Sequence, residues 1–260
     1  MASGPTRRLS KELPPDLSEL MDRIIKEAAS FIKEFDCKEP RMREIVREFM
    51  RIVDEIKTMQ ERTDTARTAG TATAGAGLGL GLIGVFAAPF TGGLSLALAA
   101  AGGAAAVGGG ATVVGVNVTK TLKENGSAKK VEELGKEFVE LVEPLKINLT
   151  EIKTTCEKLE KKSSEVQAGS TLSGVEEFQW ILRRVSELRK RSEETVNVAV
   201  AVLGFIGNLL MLFVKVFRFT ANPEEDEKLR VSIIQSADQC QKVVDEFDQM
   251  KKELKDFTGR

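Results

Sequence analysis

Apolar residues recur three and four apart at Leu17, Leu20, Met21, Ile24, Ile25, Ala28, Phe31, Ile32 and Phe35. That spacing gathers side chains on one face of an α-helix and predicts a helix from Asp16 to about Asp36. Pro40 suits the first turn of the next helix, and Met42, Ile45, Val46, Phe49, Met50, Val53, Ile56 and Met59 continue the period. Matched stripes and a short linker predict an antiparallel pair. Residues 60–67 lose the stripe without a stop signal, so the second helix can run on into the uncharged stretch beyond them. Residues 1–15, with Pro5, Pro14 and Pro15, read as a loose leader.

The polar pattern then vanishes. Thr68 to Thr119 holds no Asp, Glu, Lys or Arg, in a chain that is 30% charged. The run divides at Pro89, Phe90, Thr91, Gly92 and Gly93, where Pro removes a backbone donor and two glycines permit a tight reversal. Two apolar helices folded into a hairpin are predicted, Thr71 to Ala88 and Leu94 to Val118, with arms about 27 and 37 Å long. Both are close to the roughly 30 Å hydrocarbon core of a bilayer. Gly75/Gly79, Gly77/Gly81, Ala104/Gly108 and Ala111/Gly115 are small residues four apart, which form a flat groove for close helix packing in lipid. Leu78, Leu80, Leu82, Ile83, Val85 and Phe86 of the first arm and Leu94, Leu96, Leu98, Val113 and Val114 of the second are left as lipid-facing candidates.

After a turn at Glu124 to Ser127, Val131, Leu134, Phe138, Leu141, Leu145, Leu149, Ile152, Cys156 and Leu159 predict a long amphipathic helix, kinked at Pro144. Ser173 and Glu176 form a capping box before Val175, Phe178, Ile181, Leu182, Val185 and Leu188. That helix passes through a mixed-charge run into a second uncharged segment, Thr195 to Val214, where Asn197 and Asn208 argue against a membrane span. Asn222, Pro223, Glu224 and Glu225 open a last helix with its stripe at Leu229, Ile233, Ala237, Cys240, Val244, Phe247, Met250, Leu254 and Phe257. Nothing supports a strand. The fold class is all-α, an amphipathic helical bundle surrounding a Gly/Ala-rich hydrophobic helical hairpin. The expected domains are 1–15, 16–65, 66–122 and 123–260, with 16–260 as one folded unit.

Composition narrows the chemistry. Lys and Arg number 38 against 39 acidic residues, without the basic excess of a nucleic-acid binder. There is no His, which removes the usual base of a nucleophilic triad and the commonest zinc ligand. No enzyme activity, cofactor or metal is expected. Cys37, Cys156 and Cys240 lack metal-ligand spacing and are expected to be small apolar core residues. Gly79, Gly81 and Gly84 spell a dinucleotide-loop pattern, but no acid follows for the ribose before Lys120. Asn117, Asn125 and Asn148 match the glycosylation pattern by chance in a cytosolic chain. Glu39/Arg43, Glu44/Arg47 and Glu157/Lys161 sit at helical ion-pair spacing. The N-terminus has no apolar signal region, so cytoplasm or intracellular membranes are the expected location.

Two amphipathic helices, then Ala66-Arg67-Thr68-Ala69-Gly70-Thr71 leading into a Gly/Ala-rich hairpin with the turn Ala88 to Leu96, then a long charged helix, resemble the apolipoprotein L family. The resemblance runs from about residue 20 to the C-terminus and is most specific over 62–122. It implies lipid binding, membrane association and, in some members, insertion with channel or permeabilising activity like that of colicin-type hairpins. Some members travel in secreted lipoprotein particles and others stay in the cell. The partners implied are lipids and membranes, anionic lipid among them, with a homo-oligomer in the membrane as one arrangement. Insertion of the first arm is expected to be conditional, since its six strong apolar residues favour it by only about 0.3–0.6 kcal/mol each. With no ionisable group between Thr68 and Thr119, an acid trigger would have to act through the surrounding helices. The alternatives are a helical interaction scaffold with the hairpin permanently buried, and a surface lipid carrier that does not span.

Overall fold

The computed structural model describes residues 14–68, 122, 127–167, 175–218 and 223–259. The chain divides into two compact units, residues 1–57 with 117–260, and residues 58–116. Helix α1 runs Pro15–Thr68, α2 Ser127–Gln167, α3 Val175–Arg218 and α4 Pro223–Thr258. The described residues are all-helical, as the spacing predicts.

The expected helix pair over 16–65 is a single helix. Pro40 lies inside α1 rather than at the start of a new helix. A proline in mid-helix removes one hydrogen bond and costs about 3 kcal/mol. Two features offset that. Phe35 and Met42 are seven residues apart, two helical turns, so both halves of the stripe stay on one buried face. Two pairs, Lys38–Glu34 at 2.9 Å before the proline and Arg43–Glu39 at 2.9 Å across it, brace the turn. Both Pro40 and Asp36, whose carbonyl loses its donor, are exposed to water. Pro144 likewise lies inside the continuous α2.

Contacts across the helices order them. Between α1 and α2, Arg41 donates to Glu137 through Nε and Nη2 at 2.6 Å each, Asn148 Nδ2 donates to Glu34 at 2.6 Å, and Thr155 Oγ1 donates to Glu27 at 3.0 Å. Residue numbers rise along one helix as they fall along the other, so the pair is antiparallel. The same holds for α2 with α3 (Lys153–Glu193 and Arg189–Glu160, both 3.0 Å) and for α3 with α4 (Arg191–Glu246 2.9 Å, Lys215–Glu225 2.7 Å). Helix α4 closes on α1 through Lys251, 2.9 Å from Glu39 and 3.2 Å from Asp36. The first unit is therefore an up-down-up-down four-helix bundle.

Most of the predicted stripes lie in its core, joined by Ile52, Val142 and Val243 and, from the uncharged segment, by Val202, Ile206 and Leu209. Phe31, Phe35 and Phe247 form an aromatic knot with centroids about 6 Å apart, edge-on between α1 and α4. Cys156 and Cys240 are buried as expected, and burial pushes both thiols well above their ordinary range. Cys37 departs from the expectation and is exposed. Two residues beyond Phe35 it lies about 200° round the helix, on the water side. Of the expected surface pairs, Glu39–Arg43 forms, whereas Glu44 pairs with Arg41 and Glu157 with Lys153. Helix α4 ends at Gly259, whose φ of 67° is the left-handed cap that glycine adopts without strain.

Candidate membrane site

Helix α3 changes character along its length. Over its first half the water-facing positions other than Trp180 are charged or polar, among them Arg183, Glu187, Lys190 and Glu194. From Thr195 to Val214 no position carries a charge. One side of this segment, Ala199, Val202, Ile206, Leu209 and Phe213, is buried in the bundle. Gly135 lets α2 approach closely there, since a Cβ on it would lie 3.2 Å from Leu210 Cδ2 and 3.4 Å from Ile206 Cγ2. At the end of the segment Phe213 and Phe217 stack with centroids 4.3 Å apart.

The opposite side is bare. Asn197, Val200, Ala201, Gly204, Gly207, Asn208, Met211 and Val214 are all exposed and follow one another three or four apart, or side by side, along one helical stripe. Met211 is 68% exposed and Val200 52%. Scattered exposed apolar residues are ordinary, but a charge-free strip about 26 Å long is not. Among the described residues its two glycines serve no packing need, for a Cβ on Gly204 or Gly207 would meet nothing within 4 Å. Each weakens the helix by about 1 kcal/mol relative to alanine. The strip ends in opposite charges, Glu194 before it and Lys215 after it, both on exposed side chains.

Taken over all its faces, α3 contains the one stretch among the described residues that is long and apolar enough to cross a membrane. Its mean hydropathy reaches 2.2, and less than a third of that window is buried. The position in the bundle is informative. Gly135 of α2 meets Ile206 and Leu210, Arg41 meets Glu137, and Lys130 pairs with Glu48. The uncharged half of α3 thus sits towards the end of the bundle that holds Glu48 of α1 and Lys130 of α2.

In the groove between α1 and α2 several polar groups are already occupied. This open groove of about 310 Å³ is lined by Arg23, Lys146, Ile147, Thr150, Glu151, Thr154, Thr155 and Lys158. Arg23 is bonded to Glu27, Lys146 to Glu143, and the Thr150 and Thr154 hydroxyls donate to backbone carbonyls one turn back. The ion pairs at the α1–α4 seam are tight. Burial works against the Lys251 charge, yet hydrogen bonds to Glu39, Asp36 and Asp248 outweigh it and hold its pKa up. Burial also opposes ionisation of Glu39, and the bonds from Lys251 and Arg43 keep its carboxyl below the usual range.

The site residues expected from sequence lie outside the described residues. They are the turn Pro89 to Gly93, the packing positions Gly75, Gly77, Gly79, Gly81, Ala104, Gly108, Ala111 and Gly115, and the lipid-facing candidates from Leu78 to Phe86, Leu94 to Leu98 and Val113 to Val114. The bare strip of α3 is the feature that sequence reasoning missed, because periodicity carries no information where every position is uncharged.

Comparison with curated proteins and with solved structures gives no match. A family model does match, covering residues 8–189 and stopping just short of the uncharged half of α3. The helical bundle, its apolar helix and a match over well more than half of the sequence lead to one assignment: the chain belongs to the apolipoprotein L family.

Proposed function

We propose that this chain binds lipid bilayers conditionally, as a closed helical bundle in water whose uncharged elements enter the membrane on contact. The elements are the run Thr68 to Thr119 and the segment Thr195 to Val214 of α3. The observation that carries the reading is the second of these: a segment apolar enough to span, left mostly unburied by its own fold. Its twelve Val, Leu, Ile and Phe residues, at about 0.3–0.6 kcal/mol each, favour insertion by about 4–7 kcal/mol, from which the cost of burying the Asn197 and Asn208 amides is subtracted. Leaving the bundle would uncover Val202, Ile206, Leu209 and Phe213, each worth about 1.5–3 kcal/mol of burial. The two are of similar size, which makes insertion responsive to lipid. A helix satisfies its backbone internally and so enters without orphaned donors. Permeabilisation of the membrane is the activity that two uncharged elements on one chain would produce.

Flotation with anionic liposomes tests this, paired with dye release and with protease protection around Pro89 to Gly93. Val200→Asp/Met211→Asp places two charges on exposed positions, so the bundle still folds. At about 2.5–3.5 kcal/mol each they cancel the gain from insertion of α3. Loss of dye release with an unchanged helical spectrum is the expected result. Absence of flotation by the wild-type chain at any pH or lipid composition would return it to the role of a helical interaction scaffold.

A further inference from the structure

We propose that the bare strip of α3 is a homodimer face, on which a second copy of this chain packs α3 against α3 in antiparallel orientation. The inference goes beyond membrane binding and concerns what covers the strip in water.

Three observations favour a second copy over lipid as the occupant. Gly204 and Gly207 lie at the middle of the strip with open space above them among the described residues, so the bundle keeps two helix-weakening residues that its own packing does not require. Lipid gains nothing from glycine, whereas a second helix gains a closer approach. Next, the larger side chains flank the glycines, with Val200 on one side and Met211 on the other. A twofold axis between Phe205 and Ile206 brings Val200 of each copy onto Met211 of the other and Gly204 onto Gly207, an isologous arrangement in which one patch complements itself. Finally, the charges agree with that axis. Glu194 and Lys215 bracket the strip about 31 Å apart, and antiparallel packing sets each Glu194 beside Lys215 of the second copy, with a stagger of about 3 Å along the helix. Parallel packing would set like against like. Glu194 has a local partner in Arg191 at 3.2 Å and Lys215 has Glu225 at 2.7 Å, and both keep an exposed side. They therefore add long-range complementarity and orientation rather than most of the affinity.

The test is sedimentation equilibrium of the full chain in aqueous buffer, with liposome flotation run on the same preparations. A concentration-dependent dimer is expected for the wild type. Gly204→Leu/Gly207→Leu should raise the dimer dissociation constant by about tenfold or more while the chain stays helical, because the added atoms have space in the monomer. Glu194→Lys and Lys215→Glu should each weaken self-association. Mixing the two variants should restore a heterodimer, since each altered charge then meets its opposite. That rescue is not expected of variants that merely unfold. A wild-type chain that stays monomeric overturns the proposal, as does a dimer indifferent to both the leucine pair and the charge exchange. A strip shielded only when vesicles are present would identify it as a lipid face and likewise overturn the proposal. Flotation reads membrane binding separately, so the failure of one reading is distinguishable from the failure of the other.

Discussion

Replacing Lys251 with methionine removes a charge but keeps a straight stem of similar length, and the structure sets the size of the effect. The Lys251 side chain is 13% exposed, and its ammonium holds Glu39 at 2.9 Å, Asp36 at 3.2 Å and Asp248 at 3.3 Å, with the Phe35 ring 4.9 Å from Nζ. Breaking a buried ion pair costs about 3–5 kcal/mol, and an exposed pair is worth about 0–1. This cluster lies between those limits. Glu39 and Asp248 are about a fifth exposed and Asp36 half exposed. Glu39 also retains Arg43, and Asp248 retains Lys252 at 2.7 Å. The expected loss is therefore about 2 kcal/mol at neutral pH. The sign of the pH dependence follows from the carboxyls. Hydrogen bonds from Lys252 and Lys251 lower the Asp248 pKa from its ordinary 3.8, and the Glu39 pKa is lowered from 4.5. A depressed folded-state pKa gives stability that is present above the unfolded value and lost as pH falls through the folded one. The penalty of Lys251→Met should thus be constant from neutral pH down to about pH 5 and shrink below about pH 4. Equilibrium urea unfolding of both proteins, read by circular dichroism, measures it. A difference under about 0.5 kcal/mol at neutral pH would place Lys251 among ordinary surface lysines, and a penalty unchanged in acid would refute the electrostatic account.

Further outcomes are expected from the same structure. Because no His is present and Glu39, Glu48, Glu137 and Asp248 are all held below their ordinary pKa values, acid loosening of the bundle should begin only below about pH 4.5. Dye release that rises between neutral pH and about pH 5.5 would contradict this. A thiol reagent should modify Cys37 at once and Cys156 and Cys240 only on unfolding, giving one fast and two slow equivalents by absorbance. Phe247→Ala should cost about 3–5 kcal/mol in urea unfolding, since Phe247 packs against both Phe31 and Phe35 and is fully buried. Ser192→Ala should be neutral or stabilising by up to about 1 kcal/mol, because the Ser192 hydroxyl is buried without a partner. A clear destabilisation would reveal a hydrogen bond to this hydroxyl.

The helices were legible because each stripe obeys one period, and most of the positions so marked, from Leu17 to Phe257, are buried among the described residues. Pro40 was not. Local rules place a proline at a helix start, whereas the continuous helix packs on a partner about two hundred residues away, with Lys251 of α4 meeting Asp36 and Glu39 before the proline and Asp245 meeting Arg43 after it. Cys37 was misplaced for a different reason. Residue type suggested burial, while its angle from Phe35 put it in water. The bare strip of α3 was illegible in principle. Among Thr195 to Val214 every side is uncharged, so only the neighbours α2 and α4 decide which side is covered. Family membership, by contrast, was readable from the order and composition of residues 62–122, with no structural information.

The antiparallel joining of α1 and α2 has a mechanical consequence. The two helices meet along a ladder from Lys130–Glu48 through Arg41–Glu137 and Asn148–Glu34 to Thr155–Glu27, and the chain between them departs at the Lys130–Glu48 end. A pull on that connecting stretch loads the seam like a zipper rather than in shear. The rungs then yield one after another instead of sharing the force. Insertion of the connecting run into a bilayer would therefore peel the bundle from that end, against the resistance of a single rung at any moment.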